Sequence, residues 1–82
     1  MNDQDIITVT VKFFASLREF GPKKTDIKLP SRSSIKSILD KFKIPKEARQ
    51  LILLVNGEPH KNLDTILAGG DIIAIFPPIG GG

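Results

Sequence analysis

One histidine, His60, and no cysteine occur among the 82 residues of this chain. Little is therefore left for side-chain chemistry. A lone imidazole just after an Asn-Gly turn, with no second histidine, reads as a polar residue of a hairpin and not as a ligand or a base. Metal-ligand spacing is absent, because a zinc site needs three or four converging donors, and without thiols there are no disulfides and no cysteine nucleophile. No glycine-rich loop joins a strand to a helix in the manner of a phosphate cradle. Ser31, Ser33, Ser34 and Ser37 cluster, but around an expected helix start, where hydroxyls cap backbone N–H groups.

The tail is different. The sequence closes on Phe76-Pro77-Pro78-Ile79-Gly80-Gly81-Gly82. Neither proline can donate to a sheet ladder, and both hold the backbone extended, so they end a strand and direct the last four residues away from the body. Three glycines then remove every side chain, which lets the backbone thread a channel too narrow for a Cβ. Fully extended, residues 77–82 reach roughly 20 Å, enough to enter another protein's active site. Fraying of a chain end accounts for glycine but not for a di-proline spacer in front of it. The expectation is a body over residues 1–76 and a working tail over 77–82. Pro77, Pro78, Ile79, Gly80 and Gly81 are the candidate residues for insertion into a partner's active site, with Gly82 at the tip.

The body must position that tail, and its elements can be read from periodicity. Ile7, Val9, Val11 and Phe13 alternate with Thr8, Thr10, Lys12 and Phe14, a period of two that predicts a strand over Ile6–Phe14. A short turn of unassigned conformation, Ala15–Phe20, precedes Gly21-Pro22, and Thr25–Leu29 alternates again as a second strand. Ile35, Ile38, Leu39 and Phe42 then fall at helical spacing. Ser34 is the expected N-cap, and Pro45 the expected stop. Leu51–Val55 reads as a strand, Asn56-Gly57 as a type I′ hairpin turn, and Glu58–Lys61 as a brief return strand. Asn62–Ala68 is a loop or one helical turn, Gly69-Gly70 a tight turn, and Asp71–Phe76 the last strand. The order β-β-α-β-β-β predicts an α+β fold of the ubiquitin-like β-grasp kind: a mixed sheet of four to five strands with one helix across one face. The last strand is expected beside the first, in parallel, near the middle of the sheet. Val9, Val11, Ile27, Leu29, Ile35, Ile38, Leu39, Phe42, Leu53, Ile73 and Ile75 are the expected core.

Composition narrows the function classes. A chain this short buries about 60% of its unfolded surface, room for one core and not for an enclosed active site. Its apolar runs, such as Leu51–Val55, are far below the roughly 20 residues that span a bilayer. Met1-Asn2-Asp3-Gln4-Asp5 is polar and acidic, unlike a signal peptide, so the expected location is cytoplasmic, away from membranes. Net charge is +3, with nine basic and three acidic residues between Lys23 and Arg49. There is no Trp or Tyr, and no Phe interleaves with basic residues as in single-strand binders. The basic half is expected to face solvent or an acidic partner, not nucleic acid.

The segment LAGGDIIAIFPPIGGG, from Leu67 to Gly82, resembles the C-terminal signature of the MoaD/ThiS family of ubiquitin-like sulfur carriers. Its FPPIGGG ending lies nearer the MoaD branch than the ThiS branch. VKFFASLREFG at Val11–Gly21 and VNGEP at Val55–Pro59 are similar to the family's first strand and central hairpin. The resemblance implies a carrier with no bound cofactor that is not an enzyme by itself. A MoeB-type adenylating enzyme would use ATP to place AMP on the Gly82 carboxylate, and a sulfur donor protein would convert it to a thiocarboxylate. Within molybdopterin synthase, a MoaE-type large subunit holding the catalytic residues would receive the sulfur for the molybdenum cofactor. Alternation leaves Ile52, Leu54, Ile72 and Phe76 on the sheet face opposite the helix, a candidate patch for docking that subunit. The alternatives are a thiamine-pathway carrier, a ubiquitin-like protein modifier, and a β-grasp interaction domain with an inert tail.

Overall fold

Period-two alternation lays down strand β1 at Ile6–Phe13 and strand β2 at Lys24–Pro30, which pair antiparallel from Ile6↔Pro30 to Lys12↔Lys24. A computed structural model of the chain describes residues 5–45, 50–60 and 62–78. A 3-10 helix at Ala15–Glu19 occupies the first connection, where the sequence carries no periodic signal. Helix α1 follows at Ile35–Lys41, then β3 at Ile52–Val55, β4 at Glu58–His60 and β5 at Ile72–Phe76. The five strands form one sheet in the order β2-β1-β5-β3-β4. Strand β5 runs parallel to β1 and antiparallel to β3, so it is the central strand. This is the expected mixed β-grasp sheet, with α1 against one face.

Helix α1 is short and is held at both ends by local devices. Ser34 is the N-cap in extended conformation, as the sequence predicts, and the Ser37 Oγ accepts its backbone N–H at 3.3 Å. The Ile35 and Lys36 N–H groups, orphans of the first turn, donate to the carbonyls of Thr65 (3.1 Å) and Leu63 (2.9 Å). Residues 62–71 are therefore a loop whose carbonyls cap the helix. It holds a hydrogen-bonded turn, in which the Thr65 N–H donates to the Asn62 carbonyl at 3.1 Å, and no helix forms among these residues. Pro45 does not stop the helix. Lys43 takes the left-handed conformation, φ 58°, and closes a Schellman motif. Its N–H donates to Asp40 at 3.0 Å, and that of Ile44 to Leu39 at 3.0 Å. Ile44 and Leu39, at 1% and 0% exposure, supply the accompanying apolar contact.

The core lies between α1 and the facing side of the sheet. Ten of the eleven expected core residues are buried. Phe42 is the correction: as the helix C-cap it is only half-buried, packing edge-on against the Phe13 ring at 4.8 Å. Phe13, Leu17, Ile44, Val55 and Leu67 complete the core. Asn56 (φ 53°) and Gly57 (φ 87°) both have positive φ, as a type I′ turn requires. Asn56 also clasps the start of β5. Its Nδ2 donates to Asp71 Oδ1 at 2.9 Å, and its Oδ1 accepts the Ile72 N–H at 2.9 Å.

Candidate functional site

The tail leaves the body from the end of β5, the central strand, which is paired on both sides. That placement fixes its root more firmly than an edge strand would. Phe76, the last strand residue, lies opposite Ile52 of β3, and its ring stacks on that of Phe14, with centroids 4.3 Å apart and planes 12° apart. The Phe14 N–H in turn donates to the Ile75 carbonyl at 3.1 Å, extending the β1–β5 ladder by one bond past the strand end. Ala15 then takes a left-handed conformation, φ 56°, unusual for a residue with a Cβ, which turns the chain into the 3-10 helix beside the tail root.

Two depressions flank Pro77 and Pro78. One is an open apolar groove of about 430 Å³ lined by Ala15, Ile52, Leu54, Phe76, Pro77 and Pro78. The other, about 240 Å³, brings Ser16, Glu19 and Gln50 together with Leu17, Phe20 and Leu51 on the other side of the same prolines. The di-proline segment is thus the ridge between an apolar and a more polar hollow. Pro77 is half-buried and Pro78 exposed.

Of the sequence-predicted site residues, the sheet register brings Ile52, Leu54 and Phe76 into one groove with Pro77 and Pro78. Ile72 shares their face but stands apart. It is 42% exposed and lies beside Thr10 of β1, near the opposite end of β5. Ile79, Gly80, Gly81 and Gly82 lie outside the described residues, as does the side chain of His60. Phe14 and Ala15 are site residues that periodicity missed. Phe14 ends an alternating run, and only its stacking on Phe76 gives it a place at the tail root. Among the described residues no three His, Cys, Asp or Glu side chains are grouped to hold a metal ion. No helix among them is long and apolar enough to cross a membrane. What this arrangement can do chemically is present a main-chain segment.

Residues 11–82 match the ThiS family. The chain belongs to that family. A molybdopterin synthase sulfur carrier subunit from Arabidopsis thaliana is 33% identical over 86 residues, which span 99% of this chain and 90% of that protein. Among solved structures, the small archaeal modifier protein 1 of Haloferax volcanii superposes with a TM-score of 0.75 at 23% identity, over 89% of this chain and 99% of that one. A subunit in the complex of subunits 1 and 2 of the molybdopterin-converting factor from Helicobacter pylori 26695 gives a TM-score of 0.64 at 24% identity, over 93% of this chain and 100% of that one. The two structural likenesses carry the fold. The chain is a ubiquitin-like β-grasp member of the ThiS family.

Proposed function

We propose that this ThiS-family chain is a sulfur carrier for molybdopterin synthesis and that its working group is the Gly82 carboxylate. The observation that carries the reading is the tail root. The central strand delivers Phe76-Pro77-Pro78 to the edge of the body between two hollows, and Ile79-Gly80-Gly81-Gly82 comes next in sequence. The 33% identity to a named sulfur carrier subunit supports the same destination.

The chemistry needs no side chain of this protein. A carboxylate is a poor electrophile, because its own negative charge opposes attack. In an adenylating enzyme of the MoeB kind, a Gly82 carboxylate oxygen attacks the α-phosphorus of ATP and pyrophosphate leaves. A donor delivering sulfur at the hydrosulfide oxidation level then attacks the carbonyl carbon, AMP leaves with its bonding pair, and a thiocarboxylate remains. In a large synthase subunit of the MoaE kind, that sulfur attacks a carbon of the pterin precursor and an oxygen substituent leaves with its bonding pair. Water then attacks the thioester carbonyl, the carbon–sulfur bond to Gly82 breaks, and sulfur stays on the pterin while Gly82 leaves as the carboxylate. The glycines have a physical role at each station: a backbone without Cβ atoms passes through a narrow channel and takes up dihedrals closed to other residues. The groove beside Pro77, with Ile52, Leu54 and Phe76, is the surface through which the body docks.

A second reading keeps the activation and changes the destination. The match to the ThiS family and the archaeal modifier fold favour a thiamine-pathway carrier or a protein modifier whose Gly82 is joined to lysines. Reconstitution separates these. The chain, charged with sulfur by an adenylating enzyme, ATP and a donor, is offered to a molybdopterin synthase large subunit with its pterin precursor, to a thiazole synthase, and to a lysate. Molybdopterin formation with no thiazole and no lysine conjugates is the expected result. Thiazole or conjugates in its place would overturn the molybdopterin assignment.

A further inference from the structure

The sheet face away from α1 carries a row of residues in register across all five strands. From Lys24 of β2 it passes to Lys12 of β1, to Ala74 of β5, to Leu54 of β3 and to Pro59 of β4. At roughly 4.8 Å per strand, Lys12 lies about 10 Å from Leu54. The row therefore changes from cationic to apolar within one face, with the small side chain of Ala74 at the boundary. Lys28 extends the cationic end along β2, on the same face as Lys24.

The lysines of β2 have an ordinary explanation, since charge on an edge strand discourages edge-to-edge pairing. Lys12 does not share it. It sits on an interior strand, half-buried, directly opposite a second lysine, and like charges at paired cross-strand positions oppose sheet formation. Among the described residues neither Lys12 nor Lys24 has an ion-pair partner. The nearby carboxylate, Asp26, accepts the Thr10 hydroxyl at 2.7 Å. Two cations side by side, without an ion-pair partner among the described residues and next to an apolar groove, form a surface complementary to a partner with the opposite arrangement.

We propose that the docking surface extends beyond the groove onto Lys12 and Lys24, and that its occupant is a protein surface with an apolar projection for the groove and carboxylates over the two lysines. This rests on the reading under Proposed function, in which the occupant is the large synthase subunit. The test titrates the full chain with the molybdopterin synthase large subunit of the same genome, from about 50 mM to about 500 mM NaCl. The parent is expected to bind at low salt and to weaken about 10-fold across that range, as interfaces with complementary charge do. Lys12→Gln combined with Lys24→Gln should weaken low-salt binding by about 10-fold and flatten the salt dependence, with a thermal melt no lower than that of the parent, since the variant loses a like-charge pair. Leu54→Glu should weaken binding at every salt concentration. If the double lysine variant binds as the parent does, with the parental salt dependence, the cationic strip is not part of the interface, while loss on Leu54→Glu would leave the carrier reading standing. No binding of the parent at any salt concentration overturns both. Binding of a single-stranded RNA oligonucleotide, tighter than that of the large subunit and lost in the double variant, assigns the strip to nucleic acid and overturns the proposal.

Discussion

The two faces of the sheet are built from the same strands and have different fates. Toward α1, Val9, Val11 and Phe13 of β1, Leu53 and Val55 of β3, and Ile73 and Ile75 of β5 are buried. On the other face, β1 and β2 present Thr10, Lys12, Lys24 and Asp26, while β3 and β5 present Ile52, Leu54, Ala74 and Phe76. Strands with one solvated side normally alternate, as β1 and β2 do, whereas unbroken apolar runs such as Ile52–Val55 and Ile72–Phe76 belong to strands covered on both sides. The helix accounts for one covering of β3 and β5. Their remaining apolar side chains suit a covering supplied by another protein, next to the place where the tail departs.

Substitutions on the two faces should therefore separate stability from binding. The largest loss of stability is expected under the helix: Ile73→Ala or Leu39→Ala should cost about 2–4 kcal/mol in urea unfolding, as deletion of buried methyl groups does. A loss below about 0.5 kcal/mol at both sites would contradict the packing described. Gly21→Ala should come next at about 1–3 kcal/mol. A Cβ there would lie 2.4 Å from the Phe13 ring, and that ring is buried against Phe42 and has little freedom to yield. On the bare face, Leu54→Glu should change stability by less than about 1 kcal/mol while weakening association with the large subunit. Equal losses at Leu54 and Ile73 in the unfolding assay would erase the distinction between the faces. The smallest effect has the opposite sign. Lys43→Gly should stabilise the chain by up to about 1 kcal/mol, read from the thermal midpoint, because glycine takes the left-handed C′ position without a Cβ penalty.

Periodicity makes the sheet, the helix and most of their inner faces legible, because alternation and helical spacing each assign a face. Phe42 departs from its stripe because it is the C-cap of the helix, and Phe13 and Val55 are inner residues at strand ends. The 3-10 helix at Ala15–Glu19 escaped, being too short to show a period. Leu17, Ile44 and Leu67 were missed as core residues for the same reason: they reach the interior from connections and not from strands or α1. The end of α1 was misplaced because Pro45 looked like the stop, whereas the Schellman bonds at Lys43 and Ile44 close the helix earlier with residues that carry no glycine signal. At the candidate site, residue types were readable and their assembly was not. Ile52, Leu54 and Phe76 share a groove, and Ile72 stands apart, because of how β3 and β5 are registered. The Lys24–Lys12–Ala74–Leu54 row likewise needs four strands aligned at once.

Under the proposed function, the body serves to deliver one carboxylate at a fixed distance from the tail root. Deleting Gly82 moves that group back by about 3.5 Å, in a reaction geometry where a displacement of even 1 Å can cost roughly 100-fold. The deletion touches no core residue, so stability should stay within about 0.5 kcal/mol of the parent. The direct measurement is intact mass of the parent and the Gly82-deleted chain after incubation with the adenylating enzyme, ATP and a sulfur donor. The parent is expected to exchange one oxygen for sulfur, and the folded, shortened chain to gain neither AMP nor sulfur. Thiocarboxylate on the shortened chain at the parental rate would contradict the proposed function.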